Sequence, residues 1–199
     1  MDHRKNIIPH NHAIKLTDRI AKNGYKPQLI WFVGLSGSGK STLASSLEER
    51  LFADGIGTYI LDGDNVRSGL NNDLDFSDQS RKENIRRIAE VSKLFVDAGL
   101  VVMTAFITPF EEERRKVKAL IGEENYTEVF VNCPIEECEK RDVKGLYAKA
   151  RKGEIKNFTG IDSPFEEPDN PDIKIPTHQM SVEAGVNKIY DLITEKIKS

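Results

Sequence analysis

A glycine-rich stretch at residues 34–42 constrains this chain more than any other feature. It fits the pattern G-x-x-x-x-G-K-[ST], which is typical of the phosphate-binding P-loop. An apolar run at residues 29–33 precedes it and apolar residues at helical spacing follow it, so strand, loop and helix come in the order that the motif requires. The sequence therefore predicts a nucleoside triphosphate site made by Gly34, Leu35, Ser36, Gly37, Ser38, Gly39, Lys40, Ser41 and Thr42.

Each part of this loop has a physical role in the predicted site. Glycines let backbone N–H groups turn toward phosphate oxygens, and the N-terminus of the following helix adds a favourable dipole. We expect Lys40 to reach the outer phosphates and the Ser41 hydroxyl to bind Mg²⁺. The alternative is a glycine turn with an incidental lysine, which the flanking strand and helix disfavour.

The length of 199 residues, 38% of them hydrophobic, fits one compact α/β domain. We expect an N-terminal arm at residues 1–27 and the main domain at residues 28–199.

The net charge of −3 gives no overall attraction to nucleic acid or to an anionic membrane, and no apolar run approaches the roughly 18 residues of a membrane span. These features predict a cytoplasmic protein that binds neither nucleic acid nor a membrane. Cys133 and Cys138 lack metal-ligand spacing and are expected to be reduced.

Two acidic residues, Asp62 and Asp64, follow the predicted second strand at residues 58–61. In open α/β sheets, ligands bind beyond the carboxyl ends of the strands, so both side chains should face the same crevice as the P-loop. Phosphoryl transfer needs a carboxylate near the metal and often another that orients or deprotonates the attacking hydroxyl. An ordinary turn is the alternative, because Asp and Gly are common turn residues. No Asp follows the predicted third strand at residues 100–106, which favours the catalytic interpretation.

A predicted helix begins at Ser77 or Asp78 and continues to about residue 98. Its inward stripe is expected to include Ile85, Ile88 and Phe95. Near its start, Arg81 and Asn84 share one face, where they could contact an anionic substrate. A solvated basic turn is an equal alternative from the spacing alone.

The remaining pattern predicts further helices at residues 111–121, 135–141 and 180–197, and strands at residues 127–131 and 173–175. Residues 142–171 form a long segment broken by glycine and proline and rich in lysine, which is typical of a lid that closes over phosphates. The alternation of strands and helices predicts a three-layer α/β P-loop NTPase fold with a five-stranded parallel sheet and this lid loop.

Several strings along the chain, together with the P-loop, resemble the successive signatures of the adenylyl-sulfate kinase family. They lie at residues 61–67, 76–77, 81–87, 144–147 and 158–164. The resemblance implies transfer of a phosphoryl group from MgATP to the ribose 3′-hydroxyl of adenosine 5′-phosphosulfate (APS). The products would be 3′-phosphoadenosine 5′-phosphosulfate and ADP, in sulfate activation.

The resemblance also implies a role for individual side chains. Lys40, Asp62 and Asp64 would be catalytic, with Asp64 at the 3′-hydroxyl and Asp62 bound to the metal through water. Arg141 would stack on the ATP adenine. Phe76 and Phe158 would enclose the substrate adenine. The other substrate-binding residues would be Arg67, Arg81, Asn84, Ile107, Lys144 and Leu146.

Two positions depart from the family pattern. Thr108 stands where the family usually has a serine that is sometimes described as a phosphorylated intermediate, and Ser80 stands where an aspartate is frequent. An acceptor held in line with the P-loop needs no covalent step, so we expect Thr108 to be dispensable for turnover.

Two rival interpretations stay open at this point. One is a small P-loop kinase for another nucleotide or a sugar. The other is a non-catalytic nucleotide-binding partner of a sulfurylase. For the kinase itself, the resemblance implies a homodimer and allows an association with ATP sulfurylase.

Overall fold

Five parallel strands form the centre of this computed structural model, which describes residue 8, residues 10–75 and residues 77–198. The strands are β1 (Gln28–Val33), β2 (Thr58–Asp62), β3 (Val101–Ala105), β4 (Tyr126–Asn132) and β5 (Ile173–Pro176). They pair in parallel in the order β2-β3-β1-β4-β5. The predicted five-stranded parallel sheet is confirmed, with β5 at one edge.

Helices cover both faces of this sheet. They are α1 (Leu16–Asn23), α2 (Lys40–Ala53), α3 (Gly63–Arg67), α4 (Asp78–Asp97), α5 (Glu111–Ile121), α6 (Ile135–Arg141), α7 (Leu146–Arg151) and α8 (Val182–Lys198). A 3-10 turn at Glu123–Asn125 leads into β4. The helices predicted after β1, β3 and β4 are all present.

Two hydrophobic cores lie on opposite faces of the sheet, because successive strand residues point to opposite sides. Ile30 and Phe32 of β1 pack with residues of α2 and α8 in one core. Leu29 and Trp31 pack with residues of α4 and α5 in the other. β1 is buried along its whole length, which explains why it reads as an uninterrupted apolar run. The molecule therefore has the predicted three layers.

Helix α4 begins as predicted, since the Ser77 hydroxyl accepts a hydrogen bond from the Ser80 N–H at 3.3 Å. The predicted inward stripe is confirmed, since Ile85 and Ile88 are buried and Phe95 packs against the same core. Val96, next to Phe95, is more deeply buried. Phe95 is half-buried and packs edge-on against Tyr59 of β2, with the ring centroids 5.0 Å apart.

The segment at residues 142–171 contains the short helix α7 and a small third core. That core joins residues from the end of β4, α6 and α7 to Phe158, and its buried members are Cys133, Cys138, Tyr147, Ala150 and Phe158. The segment is thus packed against the carboxyl end of the sheet, where the P-loop also lies. Cys133 and Cys138 are free thiols.

The N-terminal segment contacts the opposite, amino end of the sheet. The Asn23 amide donates a hydrogen bond to the Gly99 carbonyl at 3.1 Å, and the Tyr25 hydroxyl accepts one from the Gly57 N–H at 2.8 Å. The division of the chain at residue 27 stays a prediction. Within the described part of the chain, no helix has the length and apolar character needed to cross a bilayer.

Candidate active site

The P-loop connects β1 to α2 and lies against β4. A Cβ atom on Gly34 would come within 2.5 Å of the Val131 carbonyl oxygen, so only glycine fits this close approach. Gly39, with φ of 106°, is the residue before α2 and has a left-handed backbone that glycine adopts without strain. The loop therefore ends at the N-terminus of a 14-residue helix, which favours anion binding.

Three consecutive carbonyl groups of this loop accept hydrogen bonds from outside it. The Tyr147 hydroxyl donates to the Ser36 carbonyl at 2.9 Å, and the Thr177 hydroxyl donates to the Ser38 carbonyl at 2.7 Å. Arg141 donates to the Gly37 carbonyl at 3.3 Å and also to the Thr177 carbonyl at 3.0 Å. The predicted stacking of Arg141 on the ATP adenine stays a prediction, and its guanidinium lies at the P-loop.

The sequence did not indicate that Tyr147 and Thr177 contact the P-loop. Tyr147 lies in the string at residues 144–147, which was noted for its resemblance, but that string gives no sign that the hydroxyl reaches the P-loop. Thr177 directly follows β5 and carries no motif.

Lys40 is the first residue of α2 and its side chain is buried. Its ammonium donates to the Gly34 carbonyl at 2.9 Å and to the Leu35 carbonyl at 2.7 Å. Burial lowers the pKa of Lys40 to about 8, and the charge of Asp62 partly opposes this shift. The Lys40 ammonium therefore lies within the P-loop, and its contact with the outer phosphates stays a prediction.

Ser41 and Asp62 bring the P-loop and β2 together. The Ser41 hydroxyl donates to Asp62 Oδ2 at 2.7 Å, while Asp62 Oδ1 accepts a hydrogen bond from the Asp64 N–H at 3.1 Å. Asp62 is the last residue of β2 and caps α3, which fixes its carboxylate at the end of the strand. The crevice expected at the carboxyl ends of the strands therefore contains Asp62.

Asp64 faces the lid segment from α3. Its carboxylate forms an ion pair with Lys144, and both side chains are exposed. This contact joins the predicted catalytic acid to the predicted lid lysine across the crevice.

The two arginines predicted to bind the substrate lie near each other. Arg67 donates to the Leu74 and Asp75 carbonyls at 3.3 and 3.1 Å. Arg81 donates to the Thr159 hydroxyl at 3.1 Å and to the Asn157 carbonyl. Burial, and then the nearby charge of Arg81, lowers the pKa of Arg67, although guanidinium groups stay protonated. Two neighbouring guanidinium groups form a region that attracts an anion.

Asn84 lies deeper than the arginines. Its side chain is buried and its amide oxygen accepts a hydrogen bond from Asn71 at 2.9 Å. This bond uses the amide oxygen of Asn84 and does not involve its amide nitrogen.

The aromatic residues predicted to enclose adenine are only partly described. Phe158 is 8% exposed and packs edge-on against Tyr147, with the ring centroids 5.0 Å apart. Leu146 is half-buried and packs against the same core. Ile107 is half-buried and follows β3. Phe76 lies outside the described residues. The roles of these residues stay predictions.

Thr108 is enclosed by the core. It is 1% exposed, and its hydroxyl oxygen accepts a hydrogen bond from Trp31 Nε1 at 3.1 Å. Its carbonyl accepts another from Arg114 at 3.0 Å, and its backbone is left-handed with φ of 42°, which is uncommon for a β-branched residue. The structure therefore places the Thr108 hydroxyl in the core, away from solvent.

This chain is closely similar to proteins of one known family. A family model described as adenylylsulphate kinase matches residues 26–176. The chain is 56% identical over 192 residues to an adenylyl-sulfate kinase of Aeromonas hydrophila, which covers 96% of this chain and 98% of that protein. It is 53% identical over 193 residues to an adenylyl-sulfate kinase of Geotalea daltonii, with 97% of this chain and 95% of that protein covered.

A solved structure supports the same relationship. It is that of an APS kinase from Mycobacterium tuberculosis in complex with AMPPNP and APS. The match has a TM-score of 0.80 and 46% identity, and it covers 85% of this chain and 98% of the other. Because the family model matches most of the sequence and the relatives match nearly all of it, this chain belongs to the adenylylsulphate kinase family.

Proposed function

We propose that this protein is an ATP-dependent kinase that phosphorylates the 3′-hydroxyl of APS. The observation that carries the proposal is the contact between Ser41 of the P-loop and Asp62 at the end of β2. It joins a triphosphate-binding loop to an acidic crevice that also contains Asp64, in a chain of the adenylylsulphate kinase family. The products are 3′-phosphoadenosine 5′-phosphosulfate and ADP.

The donor half of the site consists of the P-loop and the start of α2. Backbone N–H groups of residues 34–42 and the helix dipole bind the phosphates of ATP, and the Lys40 ammonium binds the outer ones. Because Lys40 is buried, its charge acts in a region of low dielectric, where it stabilises the charge of the transferring group more strongly than in water. Arg141 borders this half and is the proposed contact for the adenine.

Mg²⁺ is the metal ion that the family implies. The Ser41 hydroxyl and the Asp62 carboxylate, 2.7 Å apart, are hard oxygen donors of the kind Mg²⁺ prefers. The described residues contain no cluster of three or more His, Cys, Asp or Glu side chains that could hold a metal. This fits an ion that is bound mainly by nucleotide phosphates, with Ser41 as a ligand and Asp62 acting through water. The ion would neutralise charge on the β- and γ-phosphates.

The acceptor half faces this loop. Asp64 is the proposed group that orients the 3′-hydroxyl and accepts its proton, while Lys144 balances negative charge in the crevice. Arg67 and Arg81 bind the phosphosulfate group through paired N–H donors. The remaining proposed contacts to the substrate are Phe76, Asn84, Ile107, Leu146 and Phe158.

Direct transfer to the acceptor fits the geometry better than a covalent intermediate on Thr108. Its hydroxyl is buried and already accepts a hydrogen bond from Trp31. An acceptor between Asp64 and the P-loop needs no such intermediate, because phosphoryl transfer depends mainly on positioning and electrostatic stabilisation.

The proposal is tested by following ADP release from the purified protein with MgATP and APS. Gluconate, shikimate and nucleoside monophosphates serve as alternative acceptors in parallel reactions. We expect turnover with APS alone. Comparable turnover with another acceptor would favour the rival small-molecule kinase, and nucleotide binding without any turnover would favour a non-catalytic partner of a sulfurylase.

We also propose that the protein acts as a homodimer in the cytoplasm and associates with ATP sulfurylase, as the family resemblance suggests. An association would bring the enzyme that makes APS close to the one that consumes it. Light scattering measures the mass in solution, and a monomer at all concentrations would contradict the dimer. Co-purification with the sulfurylase tests the association.

A further inference from the structure

Tyr147 lies in α7, within the lid segment, and its two ends contact different halves of the site. Its side chain is 2% exposed. Its ring packs edge-on against Phe158, and its hydroxyl donates a hydrogen bond to the Ser36 carbonyl of the P-loop at 2.9 Å. Burial raises the pKa of the phenol, so the hydroxyl stays protonated and remains a donor at neutral pH.

The position of α7 is itself fixed by hydrogen bonds. The Asp142 carboxylate accepts bonds from the Tyr147 N–H at 3.1 Å and the Ala148 N–H at 3.0 Å, which are free donors at the start of the helix. Ala150 and Cys138 pack around the Tyr147 ring in the third core. Tyr147 therefore contacts the P-loop from a well-supported helix.

The contact with Ser36 has a consequence for the orientation of the loop. The carbonyl of Ser36 and the N–H of Gly37 belong to one planar trans peptide and point in opposite directions. A hydrogen bond that holds the carbonyl toward Tyr147 therefore holds the Gly37 N–H away from Tyr147. In a P-loop, backbone N–H groups that point toward the phosphates bind their oxygens.

We propose that Tyr147 is a positioning residue of the donor site, whose hydroxyl holds the Ser36 peptide in the orientation that binds the nucleotide phosphates. The lid segment thus helps to form the nucleotide site, in addition to contacting the acceptor. This inference deepens the proposed function and rests on it for the identity of the nucleotide. The residue acts through the backbone of the P-loop and does not itself take part in the transfer.

The test is a calorimetric titration of the full-length Tyr147→Phe variant with MgADP. Phenylalanine keeps the ring in the core and removes only the hydroxyl. We expect the dissociation constant to rise about fivefold, which corresponds to about 1 kcal/mol, the contribution of one neutral hydrogen bond. Tyr190→Phe is the matched control, because it removes a hydroxyl that donates to Asp54 at the far end of α2, and the affinity should not change.

Two further measurements distinguish positioning from a general effect on stability. Hydrogen exchange of the peptide that covers residues 34–39 should be faster in Tyr147→Phe and unchanged in Tyr190→Phe. In steady-state kinetics, KM for ATP should rise in Tyr147→Phe while KM for APS stays within about twofold. A merely structural role would lower the melting temperature without this difference between the two substrates.

An affinity for MgADP within twofold of the wild type would overturn the inference, whatever the melting temperature. The titration contains no acceptor, so it remains valid if APS is not the substrate. Turnover of APS with unchanged MgADP affinity in Tyr147→Phe would refute only the role of Tyr147. Absence of APS turnover in the wild type would refute only the proposed function.

Discussion

Thr108 combines an enclosed hydroxyl with an uncommon backbone conformation. The bond from Trp31 Nε1 and the bond from Arg114 to its carbonyl both fix the segment that follows β3. Ile107, the proposed backbone contact for the substrate, is the residue before it. The structure therefore indicates a supporting role for Thr108 in shaping this segment.

Thr108→Ala should retain kcat within roughly tenfold of the wild type, because transfer does not pass through the Thr108 hydroxyl. The protein should lose about 1–3 kcal/mol of stability, since the buried Trp31 N–H loses its acceptor. Thr108→Ser is the control, because it keeps the hydroxyl and should retain most of this stability. Thermal unfolding and steady-state kinetics measure both effects. A folded Thr108→Ala protein that had lost several orders of magnitude in kcat would contradict direct transfer.

The lowered pKa of Lys40 leads us to expect that nucleotide binding depends on pH. Its pKa of about 8 in the free protein means that the side chain is mostly charged at pH 7 and mostly neutral at pH 9. Because the phosphates bind the charged form, the dissociation constant of MgADP should rise about tenfold between these pH values. Calorimetry at both pH values measures the change.

Lys40→Met is the control for this pH effect. It should bind MgADP weakly, with little difference between pH 7 and pH 9, since the titrating group is gone. A wild-type affinity that stays constant over this range would show that Lys40 does not control binding by its charge.

Some contacts around the P-loop follow from the sequence pattern and others do not, for a physical reason. Lys40, Ser41 and Asp62 lie within or directly after elements that the pattern identifies, so the parallel sheet brings them together. Tyr147 contacts Ser36 across 111 residues of sequence, and Thr177 contacts Ser38 across 139. Neither side chain has a local pattern that indicates its partner, because these contacts depend on how the lid segment and the end of β5 pack.

At the scale of elements, α4 and the lid segment meet through Arg81. Its guanidinium donates to Thr159 and Asn157, both next to Phe158. Near the start of the same segment, Lys144 pairs with Asp64 of α3. Among the described residues, the lid segment thus contacts α4 through Arg81 and α3 through Lys144.

Arg81→Lys should raise KM for APS by about tenfold to a hundredfold, because lysine keeps the charge but loses the paired donors that fit phosphate and sulfate. KM for ATP should change much less. Arg86→Lys is the matched control on the same helix. Arg86 pairs with Glu83 at 2.7 Å on the surface, so both KM values should be unchanged. Equal effects of the two variants on KM for APS would contradict the role of Arg81 in substrate binding.

The elements were predictable where the apolar pattern is clear. β1, α2 and α4 have clear apolar patterns and terminal signals, and the structure confirms them. The six-residue helix α7 was not predicted, since it is too short to show a helical period and is stabilised by the Asp142 cap and the third core.

At the scale of the whole molecule, the three-layer fold brings the P-loop, the acidic residues after β2 and the lid segment to the carboxyl ends of the strands. The alternation of strands and helices was enough to predict parallel strands with helices on both faces. The order β2-β3-β1-β4-β5 could not be read from that alternation. This order places β1 beside β3 and β4, and the P-loop therefore lies between the acidic crevice and the lid segment.

The proposed function requires that the phosphoryl group of ATP passes directly to the 3′-hydroxyl of APS in this crevice. The most direct test is to identify the products of one reaction by phosphorus NMR and mass spectrometry. We predict one 3′-phosphoadenosine 5′-phosphosulfate for each ADP, and no transfer to an APS analogue that lacks the 3′-hydroxyl. Release of ADP with inorganic phosphate and no phosphorylated APS would contradict the claim.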